Sequence, residues 1–166
     1  MELWSFRSPR TGKEYDYPVF RVVGVSAVVV FALTEKEEVV AIRQFRPAAS
    51  EIVLELPGGL SDGATSPEDA AWRELLEETG YRAGKIARLA PDPVYFDPAS
   101  LDFRFLPFLA TECEDIGGQL LDEEEDIEVA FFPLSEWVDG VASGEIRTDA
   151  KSMATTFLAL RTLKTS

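Results

Sequence analysis

The chain has 166 residues, 46% of them apolar, which predicts one soluble globular domain over residues 1–166, with residues 1–17 as a short arm or hairpin. Its formal net charge of −14 at pH 7 excludes duplex DNA or RNA as the main partner, because nucleic acids require a basic surface. The absence of histidine and the presence of one cysteine exclude Ser-His-Asp and Cys-His catalysis, Cys/His zinc sites and an internal disulfide.

The first half of the chain is rich in predicted strands. Residues 18–33 are dense in β-branched side chains and predict one or two partly buried strands. A polar turn over residues 34–37 leads to a strand predicted over residues 38–45. A further strand over residues 52–56 delivers the chain into the turn at Gly58-Gly59.

The second half of the chain mixes strands and helices. The predicted elements are a strand over 81–89, a strand over 101–110 that Pro107 interrupts, a strand over 127–132, and helices over 134–142 and 149–163. This order favours the α/β class, with a mixed sheet covered on both faces. No apolar run reaches the roughly 18 residues of a membrane span, and the N-terminus lacks the basic start of a secretory signal. The predicted location is therefore the cytoplasm, without a membrane partner.

Between these halves lies a helix that the sequence delimits at both ends. Ser66 is placed to cap its N-terminus, Pro67 suits the first helical position, and Gly80 suits the left-handed residue after the last turn. One arc of this helix is apolar and is predicted to face the core: Ala71, Trp72, Leu75 and Leu76.

The other arc of the helix carries three carboxylates. Glu74, Glu77 and Glu78 stand at i, i+3 and i+4, and therefore fall within about 100° of arc. Like charges at this spacing repel each other, so a compensating cation is expected. Mg²⁺ favours carboxylate and carbonyl oxygens and retains water molecules for a phosphate substrate. The alternative is an acidic helix face that is simply solvated.

The segment around this helix resembles the Nudix box, a pattern written G-x5-E-x7-R-E-U-x-E-E-x-G-U, in which U is apolar. The matching residues are Gly59, Arg73, Glu74, Leu75, Glu77, Glu78, Gly80 and Tyr81. Thr65 stands where the pattern has its first Glu. The resemblance implies the Nudix fold, a three-layer α/β/α sandwich around a mixed β-sheet. It also implies a Mg²⁺ site, with Mn²⁺ as a substitute ion, whose ligands are Glu74, Glu77, Glu78 and the backbone carbonyl of Gly58.

The flanking sequences resemble one branch of this family, the ADP-ribose pyrophosphatases. The resemblance rests on V-V-A-I-R-Q-F-R-P and L-E-L-P-G-G-L-S-D-G before the helix, and on G-Y-R-A and D-P-A-S after it. In the branch, the Arg of Q-x-R-P contacts the diphosphate of the substrate, and this Arg corresponds to Arg46. A guanidinium can donate two parallel hydrogen bonds to phosphate oxygens. The alternative for Arg46 is an exposed residue at the end of a strand.

Aromatic residues are candidates for holding the base of a nucleotide. The branch uses N-terminal aromatics for adenine, sometimes from a dimer partner, which implies Trp4 as a substrate-binding residue and a homodimer as the assembly. Phe6, Tyr95 and Phe96 are further candidates, because aromatic faces stack on bases. Each of these side chains could instead fill the core.

The acidic run over residues 122–126 has two interpretations. Its composition is that of a solvated loop, whereas the branch places a mobile acidic loop here whose glutamates help to activate water. The catalytic residues implied are Glu123 and Glu125, together with Glu78 of the helix. Arg73 is predicted to brace the site internally. Because Thr65 cannot pair with it, a neighbour such as Asp62 would have to supply its partner.

The resemblance implies a Mg²⁺-dependent hydrolase of a small nucleoside diphosphate derivative. The predicted reaction converts ADP-ribose to AMP and ribose 5-phosphate. Ala99 follows Pro98 where the branch usually has glycine, so other nucleotide sugars or dinucleotides, such as a GDP-sugar or NADH, remain open. Thr65 motivates another alternative, a Nudix-like module that binds nucleotides without turnover.

Overall fold

The computed structural model describes residues 2–21, 26–61, 65–121 and 126–165. The elements of the first half are β1 (Glu2–Arg7), β2 (Glu14–Arg21), β3 (Ser26–Thr34), β4 (Glu38–Arg46), β5 (Glu51–Glu55), β6 (Leu60–Ser61) and α1 (Pro67–Thr79). Those of the second half are β7 (Tyr81–Arg82), β8 (Lys85–Arg88), β9 (Val94–Tyr95), β10 (Leu101–Asp102), β11 (Arg104–Asp115), β12 (Ile127–Pro133), α2 (Leu134–Ser143) and α3 (Ala150–Leu163). Within these ranges, the helices are too short or too polar to cross a membrane.

The main sheet is mixed, as predicted. Its main path runs in the order β12-β4-β3-β11-β7, with β5 paired to β4, β6 to β3, and β8 and β9 to β11. Strand β3 pairs in parallel with β11 and antiparallel with β4, while β12 lies antiparallel on the far side of β4. The N-terminal strands β1 and β2 form an antiparallel hairpin, and β10 adds to β2 in parallel. The predicted α/β class is therefore confirmed.

Strand β3 lies at the centre of the sheet and is buried on both faces. Val28 and Val30 pack in one apolar cluster with Ala71 of α1, whereas Phe31 packs in another with Trp137 of α2. This alternation follows from the two-residue period of a strand, and burial on both faces explains why β3 reads as a continuous apolar run. Each buried side chain of this size contributes about 1.5–3 kcal/mol relative to exposure. The sheet is thus the middle layer of an α/β/α sandwich.

Helix α1 has the ends that its sequence predicts. The Ser66 side chain accepts a hydrogen bond from the Asp69 amide at 3.1 Å, which satisfies one free N–H of the first turn. Gly80 adopts φ 73° and donates its N–H to the Leu76 carbonyl at 2.8 Å. Of the predicted core positions, two are fully buried and two are half-buried: Ala71 and Leu75, then Trp72 and Leu76.

The predicted interruption at Pro107 is wrong, because β11 runs unbroken through it. The Pro107 carbonyl accepts from the Leu89 amide at 2.9 Å, just beyond the end of β8. The nitrogen and the carbonyl of one strand residue point to the same side, so the missing N–H also faces the end of β8. Pro107 therefore stays paired with Val29 of β3.

The single strand predicted over residues 81–89 is also wrong, because it divides into β7 and β8. The division lies opposite an irregularity in β11, where the register with β3 shifts between Ala110 and Cys113. The Gly84 amide donates to both the Thr111 and Glu112 carbonyls, at 3.0 and 3.1 Å. Two residues of β11 thus face one residue of its partner, which is the geometry of a β-bulge.

Candidate active site

The turn after β5 packs directly against the central strand. The Val30 amide donates to the Pro57 carbonyl at 2.8 Å, and the Val28 amide donates to the Gly59 carbonyl at 2.9 Å. A Cβ added at Gly58 would lie 2.1 Å from the Val28 carbonyl oxygen, so the approach requires glycine. The same turn meets α1 on its other side, because the Gly58 amide donates to Oε2 of Glu78 at 2.7 Å.

The acidic arc of α1 faces this turn instead of solvent. Glu74 is 9% exposed and Glu78 is 5% exposed, so the interpretation as a solvated acidic face is wrong for both residues. Glu77 is half-buried beside them. Space for the Glu74 carboxylate exists because Gly59 has no side chain: a Cβ there would lie 2.4 Å from its Cδ. The two glycines are therefore packed together with Glu74 and Glu78.

Arg73 bridges two of these carboxylates. Its Nη2 donates to Oε1 of Glu74 at 2.6 Å, and its Nη1 donates to Oε2 of Glu77 at 2.5 Å. Burial lowers the pKa of Arg73, but the two carboxylates outweigh burial and raise it, so the guanidinium stays charged. Thr65, which replaces the first Glu of the motif, is exposed. Asp62, the suggested substitute partner, lies outside the described residues.

A second ionic group faces these carboxylates across the cleft. Arg46 donates through Nε and Nη2 to the two oxygens of Glu55, at 2.5 and 2.7 Å. Glu55 is 3% exposed, and it also accepts from Nζ of Lys151 at 3.4 Å. The hydrogen bonds with Glu55 raise the pKa of Arg46 above its ordinary value. One buried carboxylate thus holds two cations beside the cleft.

Lys151 is a site residue that the sequence did not single out. It lies in the first turn of α3, where Asp149 is the N-cap and accepts from the Ser152 amide at 2.7 Å. Burial raises the pKa of Asp149, but its ion pair with Lys151 and the Ser152 amide lower it more, so this carboxylate is ionised. A cation is unfavourable in the first turn of a helix. A lysine in this unfavourable position is the sequence signal that could have indicated a contact with a distant residue, here Glu55.

The two groups line one cleft of about 670 Å³. The cleft brings together five predicted site residues, namely Arg46, Gly58, Glu74, Glu77 and Glu78. It is also lined by residues that the sequence analysis did not assign, among them Gln44, Leu60, Phe103, Leu120 and Lys151. Glu123, Glu125 and the side chain of Trp4 lie outside what the structure describes. Of the other aromatic candidates, Tyr95 lies under the Arg104 guanidinium at 4.7 Å, while Phe96 borders an adjoining cavity.

The chain segment before the acidic run is fastened to the last turn of α1. Gln119 donates through Nε2 to the Glu78 carbonyl at 2.6 Å and to the Ile127 carbonyl at 3.1 Å. The Leu120 amide donates to the Glu77 carbonyl at 2.8 Å. Residues 119–121 and the start of β12 are therefore both held beside the carboxylates, although they lie far from them in sequence.

The oxygen donors of this site suit a hard divalent cation. Glu74, Glu77 and Glu78 all line the cleft, and carboxylate oxygens are the ligands that Mg²⁺ prefers. Among the residues that the structure describes, however, no three acidic or cysteine side chains are already gathered as a metal cage. The reason is visible in the contacts above, since Arg73 holds two of the carboxylates and the Gly58 amide holds the third. The three glutamates therefore offer the carboxylate oxygens that a Mg²⁺ ion requires.

Thiol chemistry does not contribute to this site. Cys113 is buried in the apolar cluster on the α1 face of the sheet. Burial raises the pKa of its thiol to about 11, so the thiolate nucleophile is absent at neutral pH. The ionisable groups that the described lining of the cleft offers are carboxylates, guanidinium groups and an ammonium group.

Comparisons with known proteins agree on one family. A family model described as NUDIX domain matches residues 23–154. An ADP-ribose pyrophosphatase of Bacillus subtilis (strain 168) is 32% identical over 136 residues, covering 81% of this chain and 72% of that protein. A GDP-mannose pyrophosphatase of Escherichia coli (strain K12) is 35% identical over 154 residues, covering 86% of this chain and 75% of that protein.

A solved structure described as an ADP compounds hydrolase superimposes with a TM-score of 0.79. The alignment covers 99% of this chain and 92% of that one, at 20% sequence identity. At this identity the likeness concerns the fold alone, and it confirms the predicted α/β architecture.

Proposed function

This chain belongs to the Nudix family and is a Nudix hydrolase, and from that premise we propose that it hydrolyses ADP-ribose to AMP and ribose 5-phosphate. One water molecule is consumed, and one P–O bond of the diphosphate bridge is broken. Its relatives are named as pyrophosphatases of nucleoside diphosphate derivatives, which supports this reaction class.

The pairing of opposite charges across the cleft is the observation that carries the proposal. Glu74, Glu77 and Glu78 line the same cleft as Arg46 and Lys151. A diphosphate is recognised by guanidinium and ammonium groups together with a divalent cation, and this cleft offers positions for all three. A chain of net charge −14 needs such a local cationic group to receive an anionic substrate.

Each residue of the cleft has a proposed role. Glu74, Glu77 and Glu78, with the Gly58 carbonyl, would hold Mg²⁺, which when bound neutralises the phosphates and lowers the pKa of water. Glu55 orients the Arg46 guanidinium, which grips phosphate oxygens. The Lys151 ammonium, held by the same carboxylate, grips them as well. Arg73 spaces Glu74 and Glu77 and screens their repulsion. Water activation by Glu123 or Glu125 and adenine binding by Trp4 in a homodimer stay predictions from the family.

A GDP-sugar such as GDP-mannose is the second candidate substrate. The GDP-mannose pyrophosphatase of Escherichia coli is 35% identical to this chain, and the ADP-ribose pyrophosphatase of Bacillus subtilis is 32% identical. The diphosphate is common to both substrates, so the charged cleft suits each of them. The choice depends on the groups at the two ends of the diphosphate.

Incubation of the purified protein with Mg²⁺ and single substrates tests the proposal. The panel contains ADP-ribose, GDP-mannose, NADH and a diadenosine polyphosphate, and products are identified by chromatography. We expect AMP and ribose 5-phosphate from ADP-ribose, with the largest kcat/KM of the panel. Faster cleavage of GDP-mannose would replace the proposed substrate. Failure to cleave any member in the presence of Mg²⁺ would contradict hydrolysis of this class.

Alanine at the two turn glycines is expected to have two different effects. At Gly58 the new Cβ would meet the Val28 backbone, so the strand must shift, and we expect a loss of about 3 kcal/mol in the free energy of unfolding. At Gly59 it would meet the Glu74 side chain, which can move. Gly59→Ala should therefore keep most of its stability, within about 1 kcal/mol, and lose Mg²⁺-dependent turnover. Urea unfolding and the hydrolysis assay separate the two variants, and equal stability losses would contradict this prediction.

A further inference from the structure

The Arg73 guanidinium binds carboxylates that the proposed metal site also requires. It spans Glu74 and Glu77, with donor–acceptor distances of 2.6 and 2.5 Å. Both contacts are short, as is usual for hydrogen bonds in which donor and acceptor are charged. Two of the three glutamates proposed as Mg²⁺ ligands therefore already hold a cation.

A guanidinium and a Mg²⁺ ion place different demands on these two carboxylates. Arg73 donates in the plane of its guanidinium, to Oε1 of Glu74 and to Oε2 of Glu77. Mg²⁺ requires near-octahedral geometry, with its oxygen ligands at about 2.0–2.1 Å. An ion bound to either carboxylate would lie close to the guanidinium, and like charges at short range repel each other. Simultaneous binding of both cations is therefore unfavourable.

Of the groups in this contact, the arginine is the one that can move. The Arg73 side chain is 46% exposed, and its donation to the Leu60 carbonyl is long, at 3.4 Å. An arginine at this exposure regains water when it turns outward, so the cost of leaving is small. Glu74, by contrast, is buried against Gly59. Arg73 can thus leave the carboxylates without disturbing the turn that packs over them.

The three glutamates need a counter-ion whether or not a metal is bound. Glu74 and Glu78 are buried, and Glu77 is half-buried beside them. Carboxylates at this helical spacing repel each other, and water screens the repulsion less where the groups are buried. Arg73 places one positive charge against two of them. It therefore offsets part of the repulsion in the folded protein.

We propose that Arg73 and Mg²⁺ are alternating counter-ions of Glu74 and Glu77. The guanidinium leaves at least one carboxylate when Mg²⁺ binds, and it returns when the ion is lost. Arg73 therefore weakens Mg²⁺ binding and stabilises the protein when metal is scarce, so it sets the Mg²⁺ concentration at which the enzyme becomes active. The proposal rests on the proposed function, because it assumes the metal ligands given there.

Calorimetric titration of the purified protein with MgCl₂ alone tests this exchange without requiring turnover. Arg73→Met should bind Mg²⁺ about three- to tenfold more tightly than the unchanged protein, because the ion pairs of a half-exposed arginine no longer have to be broken. Arg73→Lys should have an intermediate affinity, because one ammonium group lacks the planar fork with which the guanidinium spans both carboxylates.

Arg88→Met is the matched control for the titration. Arg88 also donates two hydrogen bonds to a glutamate of α1, namely Glu68 at 2.6 and 3.0 Å, but it stands outside the described lining of the cleft. Its loss changes the net charge by the same amount and should leave the Mg²⁺ affinity unchanged. Equally tighter binding by Arg73→Met and Arg88→Met would show a nonspecific effect of charge and would overturn the exchange.

Thermal unfolding distinguishes the exchange from a purely structural role of Arg73. In EDTA, Arg73→Met should unfold at a lower temperature than the unchanged protein, because its carboxylates have lost a counter-ion. In saturating Mg²⁺ this difference should close or reverse, since the ion binds the folded variant more tightly. A purely structural role would lower the unfolding temperature under both conditions, and that result would contradict the proposal.

Equal or weaker Mg²⁺ binding by Arg73→Met, with circular dichroism as the folding control, would also overturn the exchange. Arg73 would then orient the carboxylates for the metal. If Arg73→Met does not fold, Arg73→Lys provides the same comparison. The outcome is separable from the proposed function. Turnover with a Mg²⁺ affinity that does not depend on Arg73 would contradict the exchange alone, whereas failure of the unchanged protein to bind Mg²⁺ would contradict the metal site and the exchange together.

Discussion

Glu78→Gln is expected to lower Mg²⁺-dependent kcat by more than about 100-fold. Partners that only orient a metal ligand are worth about 10–100-fold, so loss of a proposed ligand should exceed that range. The variant should nevertheless fold, because the Gln amide oxygen can still accept from the Gly58 N–H. Without metal it should be at least as stable as the unchanged protein, since a buried neutral amide costs less than a buried carboxylate.

Thermal unfolding with and without Mg²⁺ gives the independent measurement. A ligand that binds only the folded state raises the unfolding temperature, so Mg²⁺ should stabilise the unchanged protein and should stabilise Glu78→Gln much less. Glu68→Gln is the matched control, because Glu68 lies on the same helix, is paired with Arg88 and stands outside the cleft. It should keep both turnover and the Mg²⁺ shift. Turnover by Glu78→Gln equal to that of the control would refute the proposed ligand set.

Arg46→Met is expected to cost about 2 kcal/mol of folding free energy and to raise KM about tenfold or more. Breaking a fully buried ion pair costs about 3–5 kcal/mol; the lower value reflects the half-exposed Arg46 side chain and the second cation near Glu55. The rise in KM follows from removing a charge-assisted hydrogen-bond donor to phosphate, worth about 1.5–3 kcal/mol.

Arg43→Met is the control for this prediction. Arg43 lies on the same strand, its side chain is as exposed as that of Arg46, and it pairs at 3.1 Å with Glu128, which unlike Glu55 is exposed; we therefore expect a change within about 1 kcal/mol. The double variant Arg46→Met/Glu55→Gln should recover part of the lost stability, because it removes the stranded carboxylate. Urea unfolding of the four proteins measures both effects. Equal losses for Arg43→Met and Arg46→Met would show that burial of Glu55 does not set the cost.

The ends of helix α1 were predictable from local sequence. Ser66, Pro67 and Gly80 determine its ends through hydrogen bonds and backbone conformations that involve only near neighbours, and all three were predictable. The burial of its apolar residues Ala71 and Leu75 was predictable, whereas the burial of Glu74 and Glu78 was not. Glu74 and Glu78 are buried because the Gly58-Gly59 turn packs over them, and that packing joins residues about twenty positions apart.

Errors in the predicted strands have a common cause. Pro107 predicts a break because proline lacks an N–H. In the structure the missing N–H would face the end of β8, so the pairing of β11 with β3 continues without it. The division between β7 and β8 lies opposite a bulge in β11. In both cases the outcome depends on the neighbouring strand, which a single segment of sequence does not specify.

The sequence by itself determined the α/β class, the acidic helix with its caps, and through its motif the family and the reaction class. These features depend on residue period, capping chemistry and fixed spacing, all of which are local. Only the tertiary structure decided that Glu55 gathers Arg46 and Lys151 across from the carboxylates, and that Gln119 joins the start of β12 to the last turn of α1. It also decided that Phe103 is the aromatic residue among the described lining of the cleft. Such contacts depend on which distant segments the sheet brings together, and side-chain pairing across the fold leaves little periodic trace in the chain.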